Sequence, residues 1–224
     1  MPTRGPYRLK ARAHRQAAVR LRITKATVDL HSTVGPARTT ISAVAQQAGV
    51  DRLTVYRHFP TRRELFEACS NHARQLHPMP DPDIWAGIPD PEPRFEAALA
   101  TLYVYYEDNE GLLRNVLRDA EIEPLVDELS APRRAYLARV ADLLSTGWQA
   151  RGRRRTILLG AVAHALEFFT WNSLVRGRGL TSTEAADVML AAVRCLEPVQ
   201  GTSRRGQTRR VGAMTAATVA KDGC

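Results

Sequence analysis

The sequence predicts an all-α fold in two helical parts. Three observations carry the prediction. Apolar residues recur at helical spacing through most of the chain, and no stretch of useful length alternates as a strand would. No internal repeat is present. Between His77 and Pro93 six prolines interrupt the helical pattern and mark a boundary. The expected division is a basic arm at 1–13, a first helical domain at 14–76, a Pro-rich linker at 77–91, a second helical domain at 92–196 and a polar tail at 197–224.

The arm has two prolines, a glycine and four basic residues, a composition that suits a mobile segment. From His14, Val19, Ile23, Ala26 and Leu30 follow 3.6-residue spacing, and Gly35-Pro36 ends that helix. Thr40 is a good N-cap for a short helix whose Ile41, Val44, Ala45 and Ala48 share a face. Gly49 breaks it. Asp51 caps a third helix that runs to about His58, and Pro60 forbids its continuation. Thr61-Arg62-Arg63-Glu64 has the form of a capping box and opens a fourth helix to about Leu76. Beyond the linker, helices are expected over 92–108, 110–120, 124–151, 155–176 and 182–196. Residues 197–224 are polar, basic and poor in large apolar groups, so disorder is expected there.

Charge is segregated along the chain. Residues 1–75 hold 14 Lys and Arg against 4 Asp and Glu, whereas residues 76–196 hold 13 against 17. A basic front half suits a polyanionic partner, nucleic acid before an anionic membrane. Cys69, Cys195 and Cys224 are far apart and odd in number, which suggests neither a disulfide framework nor a zinc knuckle. The charged first thirty residues lack a signal-peptide core, so a cytoplasmic location is expected. Thr156–Val175 has the length of a membrane span. It carries Glu167, costly at mid-membrane by roughly 2.5–3.5 kcal/mol, and is expected to be a bundle core with no membrane partner.

The residues from Thr39 to Glu67 carry the function. Two short helices meet at a glycine, where a residue without Cβ tolerates a positive φ. Val50, Val55 and Phe59 can bury against Ala45 and the first helix. Arg52, Leu53, Thr54, Tyr56 and Arg57 then face outward. Arg can bond guanine in bidentate fashion, Thr offers a methyl to thymine, and a Tyr hydroxyl reaches phosphate.

This segment resembles the DNA-binding region of the tetracycline-repressor (TetR) family of bacterial regulators. The resemblance rests on Val44-Ala45-Gln46-Gln47-Ala48-Gly49-Val50, Thr54-Val55-Tyr56-Arg57-His58-Phe59 and Thr61-Arg62-Arg63-Glu64-Leu65. It covers about residues 15–70. Leu53 stands where the family often has Gly, and Arg62 where it often has Lys. The resemblance implies an N-terminal three-helix helix-turn-helix DNA-binding domain and a C-terminal helical domain for ligand binding and dimerisation. The expected protein is a ligand-responsive repressor, bound as a homodimer to double-stranded DNA with a palindromic operator. Arg52, Leu53, Thr54 and Arg57 would meet base edges, and Thr40, Tyr56 and Arg62 would hold phosphates. Phe95, Tyr103, Trp148, His164, Phe168, Trp171 and Asn172 are candidate walls for a small-molecule effector, although such an aromatic stripe serves equally as core or interface. The last two helices are expected to dimerise through Val162, Leu166, Met189 and Val193.

No nucleophile elbow, zinc-protease motif, P-loop or placed carboxylate pair is present, so neither an enzyme, a cofactor nor a metal site is expected. Two rivals remain at this level. One is a bundle enzyme with an attached DNA-binding head, and the other is a membrane-associated helical protein.

Overall fold

A computed structural model describes residues 5–196, with side chains from residue 10 onward. Residues 1–4 of the expected arm and the whole expected tail lie outside the described residues. The described chain is helical throughout, with no strand. In order, the helices are α1 (Gly5–Thr33), α2 (Ile41–Ala48), α3 (Arg52–His58), α4 (Arg62–Leu76), α5 (Asp83–Ala86), α6 (Pro91–Asp108), α7 (Glu110–Ala120), α8 (Pro124–Leu129), α9 (Ala131–Leu144), α10 (Arg153–Ala165), α11 (Phe168–Arg178) and α12 (Ser182–Arg194). A single 3-10 turn, Pro36–Arg38, joins α1 to α2.

Helix α1 starts earlier than its sequence suggests. Residues 5–13 continue it where an irregular arm is expected. Leu9 to Ala13 are all good helix formers, and Pro6 sits in the first turn, where its missing N–H costs nothing. The expected linker at 77–91 is also more than a linker. It contains α5, whose Trp85 is buried in the core of the second domain and so anchors the connection.

Two cores result. The smaller one, in the head, gathers Ile23, Val44, Val55, Phe59, Leu65 and Phe66. It is completed from outside the head by Val126 of α8, with Val116 and Leu129 packed against it. The larger core fills the body formed by α5–α12 and is centred on aromatics of α6 and α11. The body's α7 and α8 therefore pack on the head through α1 and α4.

Two helices expected to be continuous are broken. The segment 124–151 divides at Ser130, where Pro132 in the first turn of α9 sets a new start, and helix ends at Leu144. The segment 155–176 bends by 65° between α10 and α11. The cause is distant in sequence. Tyr103 Oη donates to the Ala165 carbonyl (2.9 Å) and Tyr106 Oη to the Leu166 carbonyl (2.5 Å), so α6 takes the acceptors at the end of α10. Among the described residues no single helix is long and apolar enough to cross a membrane, and the apolar residues of the bent pair are largely core.

The four expected dimer-seam residues are core residues of the single chain. Val162 and Val193 are fully buried, and Leu166 and Met189 nearly so. Helices α10 and α12 pack on each other, and α12 packs along α6, so these side chains already have neighbours.

Candidate nucleic-acid interface

The head builds a helix-turn-helix from local chemistry. Thr40 caps α2 by accepting from the Ala43 N–H (3.1 Å). Gly49 ends it in the left-handed region at φ 64°, where a Cβ would be strained. The Val50 N–H then returns to the Ala45 carbonyl (3.0 Å). Asp51 caps α3 from both carboxylate oxygens, accepting the Thr54 N–H (2.6 Å) and the Thr54 hydroxyl (3.0 Å). These bonds hold the Asp51 carboxyl below its ordinary pKa, the backbone bond counting most. Val55 and Phe59 pin the inner face of α3 to the head core.

The outer face of α3 is free. Arg52, Leu53, Tyr56 and Arg57 are exposed, with Leu53 at 59% and Tyr56 at 44%. A large apolar side chain that exposed has no packing role in the chain itself. Thr54 is half-buried, and its hydroxyl is committed to Asp51. Thr40 is exposed at the start of α2. A cationic cleft of about 700 Å³ lies beside α3, between it and α1, lined by Arg12, Gln16, Arg20, Thr54, Arg57 and His58. Arg20 lies over the Phe59 ring (4.0 Å) and donates to the His58 carbonyl (2.5 Å). Arg12 and Arg20 escape a motif-based reading because the first falls in the presumed arm. Only the continuity of helix formers from Leu9 signals that it is presented on a helix.

Arg62 lies elsewhere. Its guanidinium pairs with Glu123 (2.7 Å), reaches the Pro36 carbonyl (3.3 Å) and covers the Phe66 ring (4.6 Å). The structure thus groups it with the junction between head and body and not with the α3 face. Arg63 follows it, binding Glu128 of α8 with two parallel bonds (2.7 and 2.8 Å). Further along the junction, Asn115 donates to the carbonyls of His31 (3.1 Å) and Ser32 (2.9 Å). Asp119 accepts from Arg118 (2.7 Å) and from the Ala37 N–H (2.8 Å). Burial opposes ionisation of Asp119, but these bonds outweigh it and hold its pKa low.

A cavity of about 320 Å³ lies within this junction. Its walls come from both parts of the chain: His31 and Cys69 from the head, Tyr105, Asn109 and Leu112 from α6–α7, and Ser130 and Arg133 from α8–α9. None of the seven expected effector residues lines it. Phe95, Tyr103, Trp148, Phe168 and Trp171 are body core, with Trp148 edge-on to Phe95. The indole N–H of Trp171 is satisfied by Ser182 (3.0 Å). Asn172 is half-buried. His164 is exposed and borders a separate surface groove with Glu167 and Phe169. Sequence periodicity marks buried aromatics equally well whether they bound a cavity or a packed core, which is why these were indistinguishable.

His31 stands at the centre of the junction. It meets Phe66 edge-on, and its Nδ1 is 3.3 Å from Cys69 Sγ. Burial, with Arg62 assisting and Asp119 opposing, lowers its pKa from 6.5 to about 4. The unfolded chain therefore takes up this proton first as the pH falls. The stability linked to neutral His31 is complete above pH 6.5 and is lost between there and about pH 4, amounting to about 3 kcal/mol. Urea unfolding across that window is expected to show a shallower decline for His31→Gln than for the wild type. Parallel curves would place the proton uptake on other groups.

Among known proteins, a family model described as bacterial regulatory proteins, tetR family, matches residues 23–69. No curated protein sequence matches the chain. Solved structures do. A TetR-like transcriptional regulator from Rhodococcus sp. RHA1 aligns with a TM-score of 0.59 at 19% identity, over 80% of this chain and 94% of the other. AibR, crystallised with isovaleryl coenzyme A and operator DNA, aligns with a TM-score of 0.57 at 17% identity, over 78% and 97%. A mutant of HlyIIR aligns with a TM-score of 0.59 at 11% identity, over 79% and 97%. The family match falls on α1–α4, the helices that present the exposed α3 face, and the structural likeness extends through the body. The head of this chain is thus similar, over residues 23–69, to the bacterial regulatory proteins of the tetR family, and the whole described chain has a TetR-like all-helical fold.

Proposed function

We propose that the protein is a homodimeric transcriptional repressor, released from a near-palindromic operator by a small molecule bound between head and body. The observation that carries the reading is the solvent-facing α3 surface of Arg52, Leu53, Tyr56 and Arg57 on a helix-turn-helix fixed by its own core. Arg52, Leu53 and Arg57 meet base edges in the major groove, and Thr54, its hydroxyl engaged, offers only its methyl. Tyr56 and Thr40 hold phosphates, joined by Arg12 and Arg20 in the cleft beside α3. Arg62 acts at the junction instead.

Two heads reach successive major grooves about 34–36 Å apart, which requires a dimer. Ile157, Phe169 and Val188, each more than 40% exposed on α10, α11 and α12, support a seam on the outside of these helices. The cavity supports the effector role because α1 and α4 of the head form part of its wall. An occupant that fits one head position better than another shifts the population by that difference in affinity. AibR, bound in one crystal to both an acyl coenzyme A and operator DNA, lends support to a fold that serves both ligands.

The test begins with genomic DNA fragments retained by the protein. On a retained fragment Arg52→Ala is expected to cost roughly 1–3 kcal/mol and relax preference at one or two positions. Tyr56→Phe is expected to weaken retained and random DNA by similar factors. An unchanged sequence preference in Arg52→Ala, with a changed one in Tyr56→Phe, would overturn the assignment of the two roles.

A further inference from the structure

The junction cavity has a charge that the protein does not balance. Arg133, on α9, lines it, and both its Nε and one terminal nitrogen, Nη2, are buried without an acceptor. The guanidinium lies 6.0 Å from the centre of the Tyr106 ring and also interacts with its hydroxyl, which is neutral and so does not balance a full charge. Asp127 and Glu167 border a second hollow that Arg133 also touches, yet among the described residues no carboxylate forms an ion pair with it. Arg94, which is buried, differs at its terminal nitrogens, although its Nε likewise has no acceptor. Its terminal nitrogens donate to the carbonyls of Ile88 (2.9 Å) and Thr146, which tie the loop before α6 to the loop after α9. Arg133 secures no such loop. Arg133 as a residue is half-buried, but two of its nitrogens are shut off from water without an acceptor, and that cost is relieved when an anion arrives.

The rest of the cavity sets what accompanies that anion. Leu112, Leu113, Val116 and Met79 make much of the wall apolar. The volume of about 320 Å³ equals roughly ten water volumes at ~30 Å³ each. A second orphan lies on the head side: Nε2 of His31, a residue only 4% exposed, has no partner. We infer that the cavity takes a small amphipathic carboxylate, its anionic group on Arg133 and its apolar body along α7. This rests on the cavity being the effector site and names the ligand class for it. The carboxylate adds two parallel charge-assisted bonds to the guanidinium, the geometry for which Arg is suited. A ligand seated there touches a wall shared with α1, so its binding is felt where the head begins.

The probes are octanoate, decanoate and phenylacetate, each with its primary amide, titrated calorimetrically into the full chain. At least one carboxylate is expected to bind, and its amide roughly tenfold to a hundredfold more weakly. Arg133→Gln is expected to erase that gap, and Arg133→Lys to retain part of it, so a fold defect in one variant leaves the other to decide. Leu112→Trp, which fills the cavity, is expected to abolish binding. Amides that bind as well as their acids, with Leu112→Trp still blocking both, would overturn the anionic class while leaving the cavity as the effector site. Carboxylate binding indifferent to Leu112→Trp would remove the cavity from the reading altogether. No binding by any carboxylate of the set would overturn the inference.

Discussion

Val193→Asp is expected to destabilise the fold severely and not merely to alter its assembly. Val193 is fully buried on α12, in the body core with Ala185, Ala186, Met189 and Leu190 of the same helix. A carboxylate there has no cationic partner, and breaking a buried environment with an unpaired charge costs about 3–5 kcal/mol. Domain stability is only about 5–15 kcal/mol, so the loss consumes a large part of it. The matching control is Phe169→Asp on α11, which is 46% exposed and so leaves the single chain folded. Circular dichroism with urea unfolding reads the first effect, and sedimentation reads the second. A folded, monomeric Val193→Asp of near wild-type stability would put Val193 at a dimer seam after all. A Phe169→Asp variant that remains dimeric would place the seam away from α11.

Gly35→Ala is expected to loosen the head–body junction. Gly35 has φ 94°, a left-handed value that a side chain rarely adopts. A Cβ there would also meet Arg118 Nη2 and Asp119 Oδ2, the oxygen that accepts from the Ala37 N–H. Backbone strain costs of order 1–3 kcal/mol and a displaced charge-assisted bond adds to it, so the expected loss is roughly 2–4 kcal/mol. Gly49→Ala isolates the strain alone. Its φ is 64° but a Cβ there meets nothing within 4 Å, so only about 1–2 kcal/mol is at stake. Equal losses in the two variants would mean that the Arg118–Asp119 pair yields freely and does not hold the junction.

Features settled within a few residues were legible before any fold was known. The caps at Thr40, Asp51 and Thr61 follow from side chains that reach a backbone N–H three residues on. Even here geometry refines the expectation. The Glu64 carboxylate takes the Thr61 hydroxyl (3.1 Å), so the box at α4 is half made, while Thr181 and Glu184 complete one at α12 that no pattern search singled out. The outward face of α3 was legible because Val55 and Phe59 are its only large inward residues. What escaped depends on partners far along the chain. The bend between α10 and α11 comes from two tyrosines some 60 residues earlier. The fate of Arg62 is set by Glu123, which the helix start at Thr61 cannot announce. Helices apolar on most sides gave no hint of which side faces a partner, so core positions passed for a dimer seam. The cavity drew its walls from six helices, and no single stretch of sequence carries its outline.

The central claim is DNA binding through the α3 face, and the salt dependence of that binding tests it most directly. A retained genomic fragment, labelled and titrated by fluorescence anisotropy at several salt concentrations, gives the affinity at each. The expected result is a linear fall of log K with log salt, with a slope of about −0.9 per phosphate neutralised. Arg20→Ala, in the cleft beside α3, is expected to make the slope shallower by about one unit, and Arg62→Ala to leave it nearly unchanged. An affinity that ignores salt, or a slope that depends on Arg62 and not on Arg20, would contradict the interface described.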